Sequence, residues 1–131
     1  LVMDKYFMLV ASSGRSDTFE RVQDALNHPR FSMENPNKVR SLIGMFTRNI
    51  AEFHHVSGRG YAFVADKIIA LDGYNPQVAA RLVQAFNVLS RVDDARQSLM
   101  LAQLERIQAQ TNVSKDTAEI IGKILLQHQV A

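Results

Sequence analysis

Residues 34–46 read ENPNKVRSLIGMF, and residues 74–86 read YNPQVAARLVQAF. Each stretch opens with Asn-Pro and continues with a basic residue, a leucine, an aliphatic residue and a phenylalanine in nearly the same order. Asn is a preferred helix N-cap, and Pro at the first helical position gives up only an N–H that has no partner inside the helix. We therefore predict that Asn35 and Asn75 cap two helices of the same kind.

Apolar residues follow both caps at helical spacing. They are Val39, Leu42, Ile43 and Phe46 after the first cap, and Val78, Leu82, Phe86 and Leu89 after the second. Similar periodicity runs through the other long segments, and Ser114 is an N-cap for the last of them. Nowhere does the sequence alternate with the period of two that is typical of a half-buried strand. The sequence predicts an all-α fold.

The spacing of the caps suggests a repeat. Asn75 follows Asn35 by 40 residues, and Ser114 follows Asn75 by 39. HEAT and armadillo repeats have this period, and their helix pairs must stack because one pair alone cannot bury its apolar face. We predict antiparallel helix pairs stacked as a HEAT/armadillo-like right-handed α-solenoid, forming a single domain over residues 1–131. The alternative is coincidence, because Asn-Pro is a common helix start.

Charge and composition narrow the function classes. Residues 1–65 carry eight Lys/Arg and six Asp/Glu, and residues 66–131 carry seven of each, so the basic stripe that nucleic-acid binding needs is not visible. Apolar runs are too short to span a membrane. The absence of cysteine fits a reducing compartment. The apolar start LVMDKYFMLV, interrupted by Asp4 and Lys5, is interpreted as a helix already under way, as in a piece of a longer protein.

Motifs of a self-sufficient enzyme are missing from the sequence: it contains no HExxH, no GxxxxGK[ST] and no GxSxG. The adjacent histidines His54 and His55 would diverge by about 100° on a helix, whereas two zinc ligands on one helix are spaced i, i+4. Arg40 and Arg81 are more informative, since each lies at the edge of an apolar helical face. Each arginine either covers the core with its stem or grips a carboxylate with its guanidinium.

Several ordered segments point to a known family. The runs NPNKVRSLIGMF, FHHVSGRGYAF and NPQVAARL, with the preceding RSDTFERVQDALNHPRFSMENPNKVRSLIG and the final Ser-capped helix, lie in one order along the chain. Together they resemble the C-terminal helical domain of bacterial aminopeptidase N, the family of zinc-dependent alanyl aminopeptidases. The resemblance covers essentially the whole chain.

The resemblance implies that catalysis takes place in a different domain of the enzyme. Members of the family carry their chemistry in an upstream thermolysin-like domain, which holds zinc in an HExxH site and binds the substrate's amine through a GAMEN-type motif. This chain has neither motif, so we expect it to bind no metal and to be inactive alone, as part of a peptide hydrolase that removes N-terminal amino acids. Its implied partners are the catalytic domain of the same polypeptide and small peptide substrates, in the cytoplasm.

The resemblance also implies three substrate-chamber residues. Gln77, in NPQ, would help to close the pocket for the substrate's first side chain. Arg81, one turn later, and Arg40, in KVRSLIG, would present guanidinium groups to the chamber and orient the peptide's carboxylate or carbonyls. The alternative function is a free-standing helical-repeat adaptor that binds protein partners.

Overall fold

The computed structural model describes residues 2–130, and all regular elements in this range are helices, which confirms the all-α prediction. The helices are α1 (Val2–Ser12), α2 (Thr18–Ala25), α3 (Pro36–Val39), α4 (Ile50–Phe53), α5 (Arg59–Asp72), α6 (Pro76–Val83), α7 (Asp94–Gln108) and α8 (Lys115–Val130). Helix α3 continues directly into a π-helical segment, Arg40–Gly44, and α6 continues into a 3₁₀ segment, Gln84–Arg91. Within residues 2–130, no helix combines the length and the apolar character needed to cross a membrane.

The chain packs as two compact units, Leu1–Gly60 and Tyr61–Ala131. The division falls in the first turn of α5. The single domain over residues 1–131 stays a prediction, and each unit is described by itself.

In the first unit, α1 packs against α2 and the π-helical segment. The core contains the fully buried side chains of Phe7, Val22, Leu42, Ile43 and Phe46. Asn49 links α4 to the end of α1. Its Oδ1 accepts the Glu52 N–H at 3.3 Å. Its Nδ2 donates to the carbonyl oxygens of Ala11 and Ser13 at 2.9 and 3.0 Å. One side chain thus caps the start of α4 and satisfies carbonyls at the end of α1.

The sequence SGRG at residues 57–60 has a structural role in the same unit. Gly58 has φ of 79°, a left-handed conformation that favours glycine. Gly60 packs against the end of α4, where a Cβ atom would meet the backbone of Glu52 and Phe53. Between the two glycines, the Arg59 guanidinium lies 4.8 Å from the centre of the Phe19 ring and pairs with Glu52 at 3.3 Å.

The second unit contains most of α5 and all of α6, α7 and α8, with the 3₁₀ segment. Helix α8 packs against α6, the 3₁₀ segment and α7. The buried core takes side chains from each of these elements, among them Tyr61, Ile68, Phe86, Leu104 and Ile121.

A buried carboxylate connects the end of α5 to the start of α8. Asp72 is 7% exposed. Its Oδ2 accepts the Ser114 backbone N–H at 2.6 Å, and its Oδ1 accepts the hydroxyls of Ser114 and Thr117 at 2.6 and 2.7 Å. Ser114 Oγ in turn accepts the Thr117 N–H at 3.1 Å, as the predicted N-cap should. Asp72 therefore fixes the start of α8 through three hydrogen bonds.

Candidate functional site

Helix α6 positions two of the three predicted chamber residues. Asn75 caps the helix by accepting the Val78 N–H at 3.3 Å, and Pro76 occupies the first turn, as predicted. Gln77 and Arg81 follow at positions i and i+4, and both are exposed. Since residues four apart lie on one helical face, the structure brings these two side chains together on the outer face of α6.

The buried face of α6 is rotated slightly about the helix axis from the face that the apolar periodicity predicts. Val78, expected to point inward, is only half-buried, and Ala79 and Val83 are fully buried instead. From the last residue of α6 onward, the buried residues Val83, Phe86 and Leu89 recur every three positions. A 3₁₀ helix has three residues per turn, so the change of helix type keeps this apolar row facing the core.

The same change of helix type aligns polar residues on the outer face. Gln77, Arg81, Gln84 and Asn87 are all exposed; we call these four residues the amide–arginine stripe. Among the described residues, none of the four side chains has a hydrogen-bond or ion-pair partner. The amides and the guanidinium therefore remain available to a ligand.

The charged residues of the segment that carries the stripe are all basic. Residues 73–92 contain two arginines, Arg81 and Arg91, and no Asp or Glu. No carboxylate of the same segment competes for Arg81. By contrast, exposed faces elsewhere in this unit carry ion pairs, such as Arg106–Asp66 at 2.8 Å and Arg96–Asp93 at 3.0 Å. The stripe has the chemistry to bind a carboxylate and peptide-like carbonyl or N–H groups.

Arg40 lies in the first compact unit, at the start of the π-helical segment. It is exposed, and its Nη2 donates to Asn37 Oδ1 at 2.8 Å, one turn earlier. A Cβ atom at Gly44 would lie 3.6 Å from Arg40 Cγ, so the arginine stem runs along the helix over this glycine. The hydrogen bond that Arg40 donates to Asn37 leaves four of the five guanidinium N–H groups for other acceptors.

The histidine pair has structural contacts. His55 Nδ1 lies 2.8 Å from Ser57 Oγ and accepts the Ser57 N–H at 3.2 Å. The His54 ring packs edge-on against Phe53, with ring centres 4.9 Å apart. Across residues 2–130, no three side chains of His, Cys, Asp or Glu come together as a group that could hold a metal ion.

Sequence reasoning missed Gln84 and Asn87. The available signals were the spacing of Gln77, Arg81 and Gln84 at i, i+4 and i+7, and the apolar spacing of three that begins at Val83. If the chain beyond Val83 is taken as an α-helix, the apolar spacing of three does not define one face, because residues three apart in an α-helix differ by about 60° in direction.

Comparison with known proteins identifies a family whose members share this sequence pattern. Residues 1–126 match the family described as "Domain of unknown function (DUF3458_C) ARM repeats". ARM repeats belong to the repeat class that the 40-residue period predicts.

Curated relatives are much longer than this chain. It is 47% identical to aminopeptidase N of Haemophilus influenzae over 126 residues, which are 95% of this chain and 14% of that protein. It is 44% identical to aminopeptidase N of Escherichia coli over the same number of residues and the same shares of the two chains. These similarities confirm the resemblance predicted from the sequence.

A solved structure matches the fold as well. The crystal structure of Legionella pneumophila aminopeptidase A in complex with aspartic acid matches with a TM-score of 0.89 and 36% sequence identity. The match covers 95% of this chain and 15% of that one.

Proposed function

Because the chain belongs to the DUF3458_C ARM-repeat family and matches a small part of bacterial aminopeptidases, we propose that it is the non-catalytic C-terminal domain of a zinc aminopeptidase. The whole enzyme removes N-terminal amino acids from peptides in the cytoplasm. The domain caps the catalytic domain of the same polypeptide as an α-solenoid, encloses the chamber and helps to gate and orient the substrate.

Zinc belongs to the catalytic domain in this proposal. The metal polarises the scissile carbonyl and activates water when bound there. The described residues 2–130 offer no cluster of ligands for it, so this chain contributes by binding and orienting peptides and by limiting access to the chamber.

The observation that carries the proposal is the unpartnered Arg81, one turn after Gln77 on the same exposed face. Gln77 closes the pocket for the substrate's first side chain, and Arg81 binds a carboxylate or carbonyl further along the peptide. Arg40 provides a second guanidinium, which its hydrogen bond to Asn37 orients. Hydrogen bonds to charged groups contribute roughly 1.5–3 kcal/mol, which is enough to affect KM but not to perform hydrolysis.

We expect Arg81→Ala to raise the KM of the full-length enzyme for alanyl tripeptides with a free C-terminal carboxylate by about tenfold or more, from the loss of a charged hydrogen bond. The kcat should stay within about twofold, because the arginine acts on binding and not on the chemical step. C-terminally amidated tripeptides should be much less affected, since their terminus is neutral. Steady-state kinetics on the two substrates measure both effects.

Arg91→Ala is the matched control for this prediction. It removes the same charge from the same continuous helix, at an exposed position outside the amide–arginine stripe. Its KM should remain close to that of the unmodified enzyme. If KM rose equally in both variants, the effect would come from the loss of positive charge and not from a specific contact of Arg81. An unchanged KM in Arg81→Ala would contradict the substrate role of Arg81.

A further inference from the structure

We propose that Gln84 and Asn87 extend the contact made by Gln77 and Arg81 into a track for the backbone of extended peptides of about five residues. This inference rests on the proposed function, and it names a substrate class: peptides that continue past Arg81. The two amides act on binding of the distal part of such peptides and not on the bond that is cleaved.

The first support is alignment. At about 100° per residue, Gln77, Arg81 and Gln84 fall within a sector of about 60° on an α-helix. From Gln84 the chain is a 3₁₀ helix, in which Asn87 eclipses Gln84 one turn later. The change of helix type thus keeps the fourth residue in line with the first three.

The second support is length. Gln77 to Gln84 covers seven α-helical steps of about 1.5 Å, and Gln84 to Asn87 covers three 3₁₀ steps of about 2.0 Å, or roughly 16 Å together. An extended peptide rises about 3.3 Å per residue, so the stripe is as long as about five substrate residues. Arg81 lies about 6 Å from Gln77 along the axis, where a tripeptide ends. Gln84 and Asn87 lie beyond that point.

The third support is chemistry. A carboxamide offers both a carbonyl acceptor and N–H donors, the same groups that a peptide backbone presents. The amides of Gln84 and Asn87 have no partner among the described residues, and residues 73–92 contain no acidic side chain that would repel a peptide carboxylate. The track therefore suits backbone recognition with little dependence on the substrate's side chains.

The fourth support is rigidity. The opposite face of the 3₁₀ segment is anchored by Phe86 and Leu89, which are 0% and 1% exposed. The Phe86 ring also lies 6.1 Å from the ring of Tyr61, centre to centre. A packed inner face holds the two outer amides at a fixed spacing, which lowers the entropic cost of binding.

The test compares tri-alanine with penta-alanine as substrates of the full-length enzyme carrying Gln84→Ala and Asn87→Ala together. We expect kcat/KM for penta-alanine to fall about fivefold to tenfold, as the loss of two neutral hydrogen bonds predicts. The value for tri-alanine should stay within about twofold, which also shows that the enzyme is folded. Gln108→Ala, at an exposed glutamine at the end of α7, is the control and should change neither value.

Two outcomes would overturn the inference. One is an unchanged kcat/KM for penta-alanine, and the other is an equal loss for both substrates. The Arg81→Ala measurement separates this failure from failure of the proposed function. If Arg81→Ala raises KM while the double variant has no length-dependent effect, the chamber role stands and the extended track is wrong. If Arg81→Ala leaves KM unchanged, the substrate role of Arg81 fails, and the extended track that starts from it fails as well.

Discussion

Replacing Gly60 with alanine is expected to lower the free energy of unfolding by about 3 kcal/mol, the upper range for overpacking a well-packed site. The added Cβ atom would lie 2.5 Å from the Phe53 carbonyl oxygen and 2.9 Å from its carbonyl carbon, and it would also clash with the Glu52 carbonyl oxygen. All three are backbone atoms, so a side-chain rotation cannot relieve the clash. The end of α4 would have to move away from the start of α5.

Urea denaturation of the 131-residue chain, followed by far-UV circular dichroism, measures this loss. Gly122→Ala is the matched control, because Gly122 lies inside α8 and a Cβ there meets no atom within 4 Å. That variant should gain about 0.5–1 kcal/mol, since alanine is the better helix former. If Gly60→Ala were as stable as Gly122→Ala, the close approach of α5 to α4 would be wrong.

The second large effect is expected at Asp72. Asp72→Ala removes an acceptor of three hydrogen bonds and leaves the Ser114 N–H and the buried Thr117 hydroxyl without their partner. An unsatisfied buried donor costs about 1–3 kcal/mol, so the free energy of unfolding should fall by roughly 3 kcal/mol. Asp72→Asn should lose less, because its amide oxygen still accepts the two hydroxyls.

The control for Asp72 is another aspartate of α5. Asp66 pairs with Arg106 at 2.8 Å, but its side chain is 60% exposed. Exposed ion pairs contribute about 0–1 kcal/mol, so Asp66→Ala should have a small effect in the same urea titration. Equal losses in Asp66→Ala and Asp72→Ala would contradict the role of Asp72 in fixing α8.

Asp72 bears on function indirectly. Asp72 fixes the start of α8, and α8 packs against α6 and the 3₁₀ segment. These two elements carry the amide–arginine stripe. Kinetic effects of Asp72 variants would therefore reflect displacement of the stripe and not a contact with substrate, which is why the kinetic tests use exposed residues.

Local chemistry made the helix starts predictable from sequence. Asn35 accepts the N–H groups of Asn37 and Lys38 at 3.0 and 3.3 Å, and Asn75 and Ser114 cap their helices as expected. A capping side chain bonds to atoms two or three residues away, so the sequence contains both partners side by side. The all-α fold follows from these caps and from the apolar periodicity.

Arg40 and Arg81 were identified by their position at the edge of an apolar helical face, whereas Gln77 and the chamber role of all three residues came from the resemblance. The sequence alone could not decide their exposure or their partners. It also could not identify Gln84 and Asn87, because their alignment depends on a 3₁₀ segment that is stabilised by packing of Phe86 and Leu89. The buried residues Val83, Phe86 and Leu89 are spaced by three, which fits a 3₁₀ helix, and we attribute the helix type of this segment to their burial.

The sequence by itself determined where the capped helices begin, which apolar residues are candidates for the core and which family the chain resembles. Tertiary structure decided the rest. The Asp72–Ser114 bond spans 42 residues, the Asn49–Ala11 bond spans 38, and the Gly60 contact depends on the approach of a second helix. The physical reason is that such contacts depend on how helices pack in space, whereas caps and periodicity depend only on neighbours along the chain.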